Sequence, residues 1–325
     1  MKTTLMLVSI IAAALSLARI DAQEAGAILR LDPALDDIVP RQAQLEKLRD
    51  GYKAPEGPAL EGPVWVRNGG YLLFSNMPAR TIEKWTPDGR VSTHLSLAEF
   101  AGSDDPAAFS AAGVTLDAEG RVVYCSSARR AVVRVETNGM QTIVAEQYEG
   151  TRLGRPNDLT FKSNGALYFT DNPRPSPDVT LPPSVYLLKD GRLQRVATQL
   201  ASPNGLALSS DERHLYVNDI SKRVVWRFDV RPDDTLDAGR VFVDMTSAQG
   251  MGGPDGMKVD VRGNIYNSGP GGLWILSSDG KHLGTIPTPD RVTNVAFGDS
   301  DGKMLYLTLH TGLFRIRLNV EGIRP

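Results

Sequence analysis

Residues 202–219 read SPNGLALSSDERHLYVND. Pro203-Asn204-Gly205 is a turn, Leu206–Leu208 an apolar run, and Ser209–Arg213 a second, polar turn. His214–Asp219 is then a β-rich run, so the stretch reads as strand, turn, strand. The same arrangement recurs along the chain. Its opening polar residue is Glu61 (EGPVW), Asn157 (PNDLTF), Asn204 (PNGLAL), Asp255 (PDGMKV) or Asn294 (TNVAF). Ala112 (AGVTL) takes that place once. The β-rich runs that follow are centred on Leu73, Val123, Tyr168, Tyr216, Tyr266 and Tyr306, each 11 or 12 residues after its opener. Successive centres lie 40–50 residues apart. A period of this length in a β-rich chain predicts an all-β, six-bladed β-propeller with four-stranded blades. The consequence is functional: equivalent positions of distant repeats become a ring about one axis.

Composition supports one folded unit and excludes several partners. Of 325 residues, 41% are apolar and 23% charged, ordinary values for a globular protein. A net charge of −2 without a basic block gives no reason to expect nucleic acid or an anionic membrane surface. The single cysteine, Cys125, cannot form an internal disulfide, and it sits in a β-run (VVYCSS) with no cation beside it. It reads as a small buried residue. His94, His214, His282 and His310 fall at scattered repeat positions and suggest no zinc site.

The chain divides into residues 1–22, a signal peptide, 23–43, an N-terminal extension, and 44–325, the propeller. Lys2 and the apolar run Leu5–Leu17 suit a secretory signal, with cleavage before Gln23 and a periplasmic or secreted product. No membrane association is expected after cleavage. Residues 41–50 (RQAQLEKLRD) have a helical pattern, but 44–52 can equally form a strand. The sixth repeat runs out of chain after Leu318, one strand short. A strand from 44–52 would complete that blade, close the ring and remove an exposed edge. Two insertions, 97–110 and the proline-rich 172–183, are expected as loops, either over the binding face or passive on the surface.

If the repeats form a ring, Glu61, Asn157, Asn204 and Asp255 converge at one mouth of the channel. Two carboxylates and two amide oxygens suit a hard divalent cation: Ca²⁺ foremost, with Zn²⁺, Mn²⁺ or Mg²⁺ as alternatives. Taken singly, each of these residues is also an ordinary turn former. Their recurrence at equivalent positions argues for a site.

The set EGPVW, RPNDLTF, GALYFTD, SPNGLALSSDERHLYVND, GPDGMKVDVRGNIY and TNVAFG resembles the regucalcin/gluconolactonase family of six-bladed propellers, from Leu60 to Leu318. The resemblance implies a metal-dependent hydrolase of sugar lactones. It implies Glu61, Asn204 and Asp255 as metal ligands, with Asp255 also catalytic. Asn157 would lie near both metal and substrate, and Arg155 would contact substrate hydroxyls. Three positions depart from the family pattern: Ala112 where Asn is usual, Asn76 where Asp is frequent, and Ser126-Ser127 where Glu-His is frequent.

The implied reaction is opening of a small-molecule lactone, with the cation polarising the carbonyl and Asp255 either activating water or attacking it directly. Another ester or organophosphate hydrolase on the same scaffold, and a non-catalytic propeller stapled by its metal, are the competing readings. The lactone and the oligomeric state are left open.

Overall fold

The computed structural model describes residues 26–100, 110–174 and 179–323. The signal-peptide expectation falls on 1–22 and lies outside the described residues, as does most of the 97–110 insertion.

Six antiparallel blades follow one another in sequence order, as expected for a six-bladed propeller, with a two-stranded ribbon of Gln147–Tyr148 and Thr151–Arg152 between blades 2 and 3. Blade 1 comprises Leu60–Val66, Tyr71–Asn76, Thr81–Trp85 and Val91–Ser96. Blade 2 comprises Val114–Leu116, Val122–Ser126, Ala131–Val135 and Gln141–Ala145. Blade 3 is Pro156–Phe161, Leu167–Asp171, Ser184–Lys189 and Arg192–Ala197, and blade 4 is Pro203–Leu208, His214–Asp219, Val224–Asp229 and Arg240–Asp244. Blade 5 is Met257–Val259, Ile265–Gly269, Gly272–Leu276 and His282–Pro287. Blade 6 supplies Val292–Gly298, Met304–Leu309 and Leu313–Arg317.

The fourth strand of blade 6 is Glu46–Arg49, antiparallel to Leu313–Arg317. The ring is therefore closed by an N-terminal strand. The helical pattern of 41–50 yields to this pairing because an unpaired edge strand costs more than local propensity returns. Arg315 seals the joint with a fork onto Glu46 at 2.7 and 3.0 Å. Inside the seam, Trp65 of blade 1 stacks on Tyr306 of blade 6 at 5.3 Å.

The segment before residue 44 packs on the propeller. Leu29–Arg30 pairs with the outer strand of blade 5, and Leu35, Ile38 and Val39 are buried between blades 5 and 6. These three apolar side chains cap a core that the two blades leave open.

Each pair of neighbouring blades encloses one apolar cluster. Val64, Leu73, Val114 and Tyr124 lie between blades 1 and 2, and Leu206, Val217, Tyr168 and Leu187 between blades 3 and 4. Strands sandwiched this way are buried on both faces, so their sequence is continuously apolar rather than alternating. Cys125 is one of these buried residues, and burial pushes its thiol well above the usual range. It is a packing residue.

Candidate active site at the mouth of the channel

In blades 1, 3, 4 and 6 the residue that opens the inner strand sits in a β-bulge. In blade 3 the pairing steps from Pro156–Asp171 to Leu159–Phe169, and in blade 4 from Pro203–Asp219 to Leu206–Val217. The register also shifts between Glu61 and Val64 in blade 1. A bulge leaves its residue out of the ladder and re-aims the side chain. Here the re-aimed side chains reach the channel.

They meet in one cavity of about 500 Å³, whose lining includes Glu61, Ala112, Arg155, Asn157, Asn204 and Asp255. All five residues singled out for the site, and Ala112, are therefore brought to one place. Asn172 and Arg174 of the proline-rich insertion also line it, so that loop does border the site. Asn76 and Ser126-Ser127 are not among the lining residues; Asn76 donates to Glu83 at 2.6 Å instead. Of the three departures from the family pattern, only Ala112 forms cavity wall. None of the four histidines is there.

Backbone clamps hold the floor still. The Asp255 carbonyl accepts from Gly205 N at 2.9 Å and from Asn218 Nδ2 at 2.6 Å, while its N–H donates to Ser268 Oγ. The Asn204 carbonyl accepts from Thr170 Oγ1 at 2.7 Å, and the Asn157 carbonyl from Gly113 N at 2.8 Å. Apart from the Asp255–Ser268 bond, which stays within blade 5, each clamp reaches across to the next blade. Asp171 and Asp219 fix the loops that lead in: Gly154 N donates to Asp171 at 2.8 Å, and Ala201 N and Ser202 N donate to Asp219 at 2.7 and 3.0 Å. These two aspartates were not singled out from sequence. The signal for them is the acid that ends the second strand in FTD and VND.

Two further residues escaped the sequence reading, and one alignment needs correction. The N–H that follows the opener donates to the opener's counterpart in the next blade: Gly113 to Asn157, Gly205 to Asp255, and Gly256 to Thr293 at 2.6 Å. Thr293, not Asn294, is therefore the opener's counterpart in blade 6. Asn294 instead takes the position held by Gly62, Gly113, Gly205 and Gly256. Asp158 takes it in blade 3. Both side chains are buried on the axis beneath the cavity, where Asn294 Nδ2 meets Asp158 Oδ2 at 3.1 Å and Glu61 Oε2 at 3.3 Å.

Three carboxylates thus crowd a buried floor. Burial, then the charge of Asp158, pushes Glu61 well above the usual carboxylate range. Burial, then the charges of Glu61 and Asp158, does the same to Asp255, against Arg155 and a hydrogen bond from Asn204. Burial, with help from Arg174, pulls Arg155 down to about 10. Among the described residues there is no group of three or more His, Cys, Asp or Glu side chains arranged as a metal cluster. Of the oxygen donors that line the cavity, Glu61, Asn157, Asn204 and Asp255 are two carboxylates and two amides from the strand openers. That oxygen set fits a hard divalent cation, whose presence would favour both carboxylates in ionised form.

A six-bladed ring with mostly oxygen-bearing openers around one mouth defines a propeller with an axial polar site. Residues 59–311 match the SMP-30/gluconolactonase/LRE-like region, and the chain belongs to that family. It is 32% identical over 317 residues to a gluconolactonase of Zymomonas mobilis, spanning 91% of this chain and 87% of the relative. It is 27% identical over 261 residues to a pentonolactonase of Haloferax volcanii, spanning 78% and 81%. Among solved structures, a gluconolactonase of Xanthomonas campestris superposes with a TM-score of 0.78 at 32% identity, over 90% of this chain and 95% of that one. A calcium-binding regucalcin of Agrobacterium tumefaciens shares the fold with a TM-score of 0.71 at 20% identity, over 87% and 96%.

Proposed function

We propose that the protein hydrolyses a sugar lactone, using one divalent cation, Ca²⁺ foremost. The observation that carries this reading is the convergence of Glu61, Asn157, Asn204, Asp255 and Arg155 on one cavity. The family and its gluconolactonase and pentonolactonase relatives support the reaction class.

Glu61, Asn157, Asn204 and Asp255 would hold the cation, which supplies Lewis-acid polarisation of the lactone carbonyl. The chain's own groups do the rest. Arg155, with five fixed donors, binds and orients ring hydroxyls from one side of the cavity. Asn157 stands beside it as a second, neutral donor and acceptor. Asp255 takes the proton of the attacking water as the new C–O bond forms. The acyl C–O bond of the ring then breaks, the ring oxygen takes the proton back from Asp255 and leaves as a hydroxyl, and the aldonic acid departs and ionises. The clamps on the Asp255 backbone keep its carboxylate aimed during this step.

A pH-stat screen of sugar lactones, with Ca²⁺, Mn²⁺, Zn²⁺, Mg²⁺ or chelator, tests the reading. Acid release above the spontaneous rate, lost on chelation, is expected. Turnover of aryl esters or paraoxon-like phosphotriesters but of no lactone would replace it with the other hydrolase reading. Metal binding without any turnover would leave only a binding propeller.

Export is part of the proposal and rests on the sequence of residues 1–22. Fractionation with N-terminal sequencing tests it; a mature chain that retains Met1 in the cytoplasm would refute it.

A further inference from the structure

Blades 3 and 6 face each other across a six-fold ring, and they alone carry a side chain at the position that is glycine in the other four. The glycines make the room. A Cβ on Gly113 would lie 2.4 Å from Asp158 Oδ1, and one on Gly256 would lie 2.2 Å from Asn294 Cγ. The two long side chains cross the axis and meet there at 3.1 Å.

The Asn294 amide is fully engaged. Its Nδ2 donates to Glu61 and Asp158, and its Oδ1 accepts from Val295 N at 2.9 Å and Lys258 Nζ at 3.3 Å. Both donors that reach Glu61, Gly62 N at 2.7 Å and Asn294 Nδ2, go to Oε2. Oε1 takes neither. Glu61 lines the upper cavity and Lys258 a lower one, so the tie also divides the channel.

We propose that Asn294 is a positioning residue: by tying Glu61 Oε2 to Asp158 across the axis, with Lys258 steadying its carbonyl, it turns Glu61 Oε1 toward the bound cation. This rests on the metal-dependent reading above. Groups that orient a metal's carboxylate ligand commonly contribute about 10–100-fold to metal affinity.

The test measures Ca²⁺ binding by calorimetry, together with kcat and KM for a sugar lactone at saturating Ca²⁺, in the full mature chain. In Asn294→Ala and the near-isosteric Asn294→Leu, we expect Ca²⁺ affinity to fall about 10–100-fold, with lactone KM unchanged when metal is saturating. Circular dichroism establishes that the variants are folded. Unchanged Ca²⁺ affinity in a folded Asn294 variant would overturn the proposal. Should neither variant fold, Lys258→Met decides, because its ammonium donates to Asn294 Oδ1 and to the Met257 carbonyl and does not hydrogen-bond Glu61. A several-fold weaker Ca²⁺ affinity supports the proposal; unchanged affinity overturns it. If the wild-type chain itself bound no divalent metal, the functional reading would fall and this one with it. Wild-type binding with indifferent variants would remove the positioning role alone.

Discussion

Gly205 donates its N–H to the carbonyl of Asp255 at 2.9 Å, and a Cβ on Gly205 would stand 2.1 Å from that same oxygen. The packing of blade 4 on blade 5 and the placement of the residue assigned to activate water are therefore one contact. Gly205→Ala must push the two backbones apart, since no flexible side chain can yield. A loss of about 1–3 kcal/mol, the usual cost of overpacking, is expected in urea unfolding. Lactone turnover should fall further than the stability change explains, because the floor of the cavity moves. A fully active variant would show that the Asp255 backbone clamp is dispensable.

Asp255→Asn keeps size and hydrogen-bonding capacity while removing the base. The expected loss in kcat is about 10²–10⁴-fold, with the fold intact by circular dichroism. Because Asp255 is also assigned to the cation, metal binding must be measured in the same variant. Turnover retained with metal bound would move the proton-accepting role to another group.

Removing metal should act on stability as well as on turnover. Three carboxylates, Glu61 and Asp158 buried and Asp255 half-buried, repel one another at and beneath the floor of the cavity. A ligand that binds only the folded state at 100 times its Kd adds about 2.7 kcal/mol. Chelation should therefore lower Tm and abolish turnover, and Ca²⁺ should restore both. Equal melting curves with chelator and with excess Ca²⁺ would argue against a cation at Glu61 and Asp255.

A pH effect separate from the site is expected at Asp234. This carboxylate, in blade 4 and buried, meets Lys162 and Lys189 of blade 3, the latter at 2.6 Å, and accepts from Asn164 at 2.8 Å. Burial alone would raise its pKa. The hydrogen bonds from Lys162, Lys189 and Asn164 outweigh burial and hold it at about 2, below the reference 3.8. The sign follows: a depressed acid stabilises the fold above pH 3.8, and that contribution is lost as pH falls from 3.8 toward 2. It amounts to about 2 kcal/mol. Asp234→Asn should thus be less stable than wild type at pH 7, and the two should converge in the acid limb. A constant difference down to pH 2 would contradict the ion-pair account.

Much of this was legible in the primary structure because the information repeats. The hairpin sentence of Ser202–Asp219 recurs with a fixed interval, and a fixed interval in a β-rich chain determines blade number and ring. The borrowed strand at Glu46–Arg49 could be anticipated from the missing fourth strand of blade 6. Glu61, Asn157, Asn204 and Asp255 were visible for the same reason: one position, read across repeats, carries oxygen. Leu35, Ile38 and Val39 were missed because they belong to no repeat, and their partners lie some 240 residues away.

Asn294 marks the limit most clearly. Its distance to Tyr306 matches the other openers, so the sequence cannot tell it from one. Only the bulges and the inter-blade hydrogen bonds show that Thr293 is the opener and that Asn294 and Asp158 replace glycines. By itself, the sequence determined the periodic features: fold class, blade count and the ring of polar openers. The tertiary structure decided how the ring is filled, because side chains from opposite blades meet only when the circle is closed, and a one-residue shift in a bulge redirects a side chain without changing the period.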